Sequence, residues 1–82
     1  VKNLNISIYP NPVRDMIQVN GLNDKSSAKV TLADMSGYVW MSTMARNQSY
    51  IKFNVSRLKP GNYLINVNDE KGAMKTIQFL KE

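Results

Sequence analysis

Cysteine and histidine are both missing from this chain of 82 residues. Without cysteine no disulfide can supplement the core and no thiolate can hold a metal, so cysteine usage says nothing of the redox compartment. Without histidine the commonest general base is gone, and with both absent so are the Cys/His nucleophile pairs and the usual zinc ligand sets. Acidic side chains are scarce: Asp15, Asp24, Asp34, Asp69, Glu70 and Glu82 are the whole supply, and most stand among turn formers. Hydrolysis by paired carboxylates stays formally open, but no pair is evident; the chain reads as a non-enzyme with no cofactor and no metal. Phosphate-cradling glycine loops, zinc spacings and EF-hand loops are lacking, and the aromatic residues are not interleaved with basic ones as a nucleic-acid platform requires. No apolar run reaches the length of a membrane span and no signal-peptide core is present, so neither membrane insertion nor a nucleic-acid partner is expected.

A chain this short forms one domain and buries only about 60% of its unfolded surface. Eleven Lys and Arg against six Asp and Glu give a formal charge of +5, which favours polyanionic partners without choosing among them. The basic residues are spread without a run, as on a solvated surface. The chain starts at Val1, not methionine, which fits a piece cut from a longer protein.

The stretch Tyr9-Pro10-Asn11-Pro12-Val13-Arg14-Asp15 organises the rest. Two prolines two residues apart fix φ and remove two backbone donors, so neither a helix nor a central strand can pass through. Leu4, Ile6 and Ile8 alternate with polar residues before it, and Ile17 and Val19 after it, which predicts a rigid corner between two short strands. Such a corner carries a strand from one sheet to the other or seals an exposed edge.

Further strands follow. Ala28, Val30 and Leu32 predict a half-buried strand ended by the turn Asp34-Met35-Ser36-Gly37, and Tyr38 to Thr43 the returning one, with Trp40 read as facing inward. Met44 to Ser49 reads as a connection. Ile51, Phe53 and Val55 alternate inward, Leu58 drops onto the core from the turn that follows, and Tyr63, Ile65 and Val67 share one face. Gly61-Asn62-Tyr63 matches a tyrosine corner, with an ordinary core tyrosine as the other reading. Asn68 to Gly72 turns the chain into a last strand from Met74 to Leu80, with Ile77 and Phe79 inward and Lys75, Gln78, Lys81 and Glu82 outward or terminal. About seven antiparallel strands and no helical period predict an all-β, immunoglobulin-like sandwich. Three Asn-x-Ser triplets, at Asn5, Asn47 and Asn54, are taken as chance matches.

The ordered set Tyr9-Pro10-Asn11-Pro12, Asp15, Asp34 and Gly37, Leu58, Gly61 and Tyr63, then a lysine-containing last strand, resembles the type A C-terminal sorting domain of the type IX secretion system of Bacteroidetes. The resemblance covers nearly the whole chain; Tyr38, after the turn glycine, and the five methionines depart from the family's usual pattern. It implies a single sorting domain over residues 1–82 of a larger secreted protein, recognised when folded by the outer-membrane translocon. A sortase-like peptidase would cleave it from its N-terminal cargo, and the route would run through the periplasm and outer membrane to the cell surface or medium. Pro10, Asn11, Pro12, Asp15, Asp34, Gly37, Gly61 and Tyr63 are the motif candidates. Lys75, Lys81 and Glu82 join them because the last strand is what a receptor reading the end of a chain can always reach. The competing expectation is a fibronectin-like or carbohydrate-binding accessory module of a secreted enzyme, which would share the sandwich and display an exposed aromatic platform.

Overall fold

A computed structural model of the chain describes residues 5–82; Leu4, the first of the alternating residues, lies outside them. The strands are β1 (Ser7–Tyr9), β2 (Met16–Asn20), β3 (Ser27–Asp34), β4 (Val39–Arg46), β5 (Tyr50–Asn54), β6 (Gly61–Asp69) and β7 (Met74–Lys81). They form two antiparallel sheets, ordered β1-β2-β5 and β4-β3-β6-β7. Alternation places Ile17, Val19, Ile51 and Phe53 of the first sheet against Val30, Leu32, Ile65, Val67 and Phe79 of the second, all buried. This is the sandwich that the period-2 pattern predicts.

The corner works differently from a crossover. β1 and β2 pair with each other, Ile8 opposite Val19, so no strand is carried between sheets. Instead the fully buried Val13 forms a parallel bridge to Lys81 of the other sheet. Val13 N–H donates to the Leu80 carbonyl and Glu82 N–H donates to the Val13 carbonyl, both at 2.9 Å, while Leu80 N–H donates to Asn11 Oδ1 at 3.0 Å. The corner thus covers one end of the β7 edge. Both proline peptide bonds in it, Tyr9–Pro10 and Asn11–Pro12, are cis.

Two hairpin turns are built alike. In Asp34–Tyr38 and Asp69–Ala73 the aspartate Oδ1 accepts the backbone N–H groups two and four residues on. The aspartate carbonyl accepts from the glycine three residues on, and that glycine, Gly37 or Gly72, has φ near +90°. A carboxylate that caps two donors and a glycine that tolerates the left-handed region together specify the turn.

Three predicted placements are corrected. Trp40 is not inward but 51% exposed: the register slips between Leu32, opposite Met41, and Ala33, opposite Val39, so Trp40 is the extra residue of a bulge and the inward phase passes to Met41 and Ala45. Met44 is not in a connection, because β4 runs on to Arg46. Lys81 is not outward but buried. It has the same parity as Ile77 and Phe79, so its aliphatic stem enters the core face while Nζ donates to the Glu82 carbonyl oxygen at 2.7 Å.

Candidate functional site

The strand directions sort every connection to one of two poles. The corner (residues 10–15), the β3–β4 turn, the β5–β6 connection and Glu82 lie at one pole; the β2–β3 loop, the β4–β5 connection, the β6–β7 turn and residue 5 lie at the other. Gly21 fixes the second pole, with φ +90° and so close an approach that a Cβ there would stand 2.0 Å from the Asn5 carbonyl oxygen.

The predicted motif residues, scattered from Pro10 to Glu82, fall at the corner pole with one exception. Asp34 pairs with Tyr63 and Gly61 with Lys81, and Asn11 and Val13 reach the end of β7. The Asp15 carbonyl accepts Val55 N–H at 2.7 Å, joining the corner to the start of the β5–β6 connection. Lys75 is the exception: it pairs with Val67, close to the β6–β7 turn, and is exposed at the far pole.

Most of these residues spend their polar groups on the pole itself. The Tyr63 hydroxyl donates to the Lys59 carbonyl at 2.6 Å, as a tyrosine corner does, and its buried ring stacks on Phe79 with centroids 5.7 Å apart. Gly61, at φ +150°, opens β6 beside it. Asp34 gathers Ser36, Tyr38 and, through Oδ2, the indole N–H of Trp40 at 3.1 Å. Its pKa is held below the ordinary 3.8, first by the Ser36 hydroxyl, whose effect exceeds the opposing one of desolvation, and then by the indole and the two backbone donors. Arg14 and Glu82 form an exposed ion pair at 3.3 Å, which the charge count could not locate.

The surface between these anchors belongs to residues that sequence reasoning did not name as site candidates, although Tyr9 heads the corner stretch and Tyr38 stands out as a departure from the family's pattern. Tyr9, Met35 and Tyr38 are each more than half exposed, and Tyr38 meets Trp40 edge-to-face with centroids 4.9 Å apart. Their signal was faint, since isolated apolar side chains in turns are common. An open groove of about 1060 Å³ lies elsewhere, along the side between β4 and β5, lined by Met41, Thr43, Ile51 and Phe53 among others. None of the motif residues lines it. Among the described residues no cluster of three or more potential metal ligands is present, and no helix is long and apolar enough to cross a membrane.

A family model described as the secretion system C-terminal sorting domain matches residues 7–81. The chain belongs to this family. It is a C-terminal sorting signal of type IX secretion, which means that the type IX system recognises it and that it directs export to the cell surface or the extracellular space. Among solved structures the sorting domain is similar to a DUF3244 family protein from Bacteroides vulgatus ATCC 8482 with an immunoglobulin-like β-sandwich fold. The identity is 18%, the TM-score 0.79, and the match covers 94% of this chain and 84% of that one. At that identity the likeness shows the fold. No curated protein matches. The family speaks for a non-catalytic role and does not favour the accessory-module alternative.

Proposed function

We infer that the corner pole is the surface read by the outer-membrane translocon, and that the folded domain acts as a non-catalytic address for cargo joined on its N-terminal side. A sortase-like peptidase then removes the domain as the cargo is attached to the cell surface. The observation that carries this reading is the convergence of motif residues from four separate parts of the chain on one pole, while residue 5, the side from which cargo would enter, is at the other. An address at the far pole would be crowded by its own cargo. One at the corner pole is free, and because Asp34, Tyr63, Asn11 and Val13 already tie its loops together, a receptor need not supply the entropy of ordering them. On this reading Pro10, Asn11, Pro12, Asp15, Asp34, Gly37, Gly61, Tyr63 and Lys81 shape the pole, and the exposed Tyr9, Arg14, Met35 and Glu82 touch the receptor.

The experiment fuses residues 1–82 behind an inert reporter in a type IX-competent bacterium. The intact fusion should reach the medium or cell surface. Arg14→Glu with Tyr9→Ser should leave it in the periplasm while shifting stability by no more than about 0.5 kcal/mol, the usual range for surface changes. Lys75→Glu, at the far pole, should export like the parent. Export in a strain lacking the translocon would refute the sorting route, whereas a block by Lys75→Glu and none by the corner variant would move the address to the far pole.

A further inference from the structure

We propose that the free edge of β4 is a self-association surface, on which a second copy of this chain adds its own β4 antiparallel and in one register, centred on Thr43. Among the described residues four strands have an open edge, and three of them are guarded. β1 is only three residues long, β5 carries Lys52 at its centre, and β7 carries Lys75 and Lys81 and is covered at one end by the corner. β4 is eight residues long with no proline and no charge before Arg46. Short length, charge and cover are the devices that keep sheet edges from pairing. A bulge at Trp40 is the sole such device on β4, and it leaves Met41–Arg46 regular.

The self-pairing is argued from complementarity along the strand. Thr43 lies opposite the buried Val30 and so has the inward phase, yet it is exposed; it is a core-facing position that opens onto the groove between β4 and β5. With Thr43 opposite its own copy, Met41 meets Ala45 of the second copy, a long side chain against a short one, twice by symmetry. On the other phase Ser42 meets Met44, itself 46% exposed. Arg46 of each copy comes opposite Trp40 of the other, where the indole face and the Asp34 carboxylate bonded to its N–H offer a cation–π contact and an opposite charge. No like charges are brought directly opposite one another along the strand. The result is one continuous eight-stranded sheet, twice the four strands of each copy, and nothing in this pairing depends on the secretion reading.

The sequence has no cysteine, so single introduced thiols report the register. Directly opposed Cβ atoms lie about 4.5–5.5 Å apart, close to disulfide range. Under mild oxidation Thr43→Cys should give a covalent dimer of twice 9.3 kDa. Ser42→Cys and Met44→Cys should stay monomeric alone and cross-link when mixed. In sedimentation velocity the parent chain should pass from one to two copies as concentration rises. Thr43→Lys, which puts a charge on the axis, and Arg46→Glu, which reverses the end contact, should each raise the midpoint at least about tenfold, with far-UV circular dichroism confirming an unchanged fold. A parent chain that stays monomeric up to about 1 mM would overturn the proposal and leave the edge to a strand of another protein. Cross-linking of Ser42→Cys alone as fast as Thr43→Cys would overturn the register.

Discussion

At the residue scale the side chains that mark the family hold the pole in place before anything can touch it. Tyr63 illustrates the division. Replacing it with phenylalanine keeps the ring on Phe79 but leaves the Lys59 carbonyl without its donor, so Tyr63→Phe should lose about 1 kcal/mol in urea unfolding, the net worth of one hydrogen bond. Asp34 adds a pH signature. Its folded pKa lies below 3.8, chiefly through the Ser36 hydroxyl, so its contribution is fully present above the unfolded value and is lost as pH falls through the folded one. Trp40, the sole tryptophan, bonds this carboxylate. Its fluorescence should therefore change with an apparent midpoint below pH 3.8, and Asp34→Asn should abolish that step. A midpoint above the ordinary carboxylate value would contradict the capping role of Asp34.

At the scale of elements the decisive contact is between the corner and β7. Asn11→Ala removes the side-chain acceptor of Leu80 N–H and should cost about 0.5–1.5 kcal/mol. Amide exchange should quicken at Leu80 and Glu82 while Ile65 and Val67, in the middle of β6, remain protected. Uniform quickening would mean that the corner is not a local clip. Elements are also where the sequence was most and least legible. β2, β3, β5 and β6 bury alternate residues without interruption, so period 2 alone finds them. β4 was misread because its bulge resets the phase by one residue at Trp40, and a bulge leaves no mark in composition. Lys81 was misread by type: a lysine was taken as outward at a position whose parity with Phe79 sends it inward. The tyrosine corner was legible, because glycine and tyrosine stand together at a strand entrance after a proline. The exposed surface of the pole was not, because pairing between distant strands assembles it.

At the scale of the whole molecule the margin is small. A domain of this length holds roughly 4–12 kcal/mol, and Phe79 is among its largest fully buried side chains. Phe79→Ala should cost about 3–5 kcal/mol and lower the melting temperature by some tens of degrees, at about 4–8 °C per kcal/mol for domains of this size; a shift of only a few degrees would show that β7 is not integral to the core. The bonds from Leu80 and Glu82 back to Asn11 and Val13 have one more consequence, which concerns time. A ribosome makes the corner well before its partners in β7, so the sandwich cannot close until translation has passed residue 82. Products broken off earlier emerge with the corner unclipped and the core open. A receptor that accepts only the closed shape would therefore turn away every chain cut short before residue 82, without any separate check.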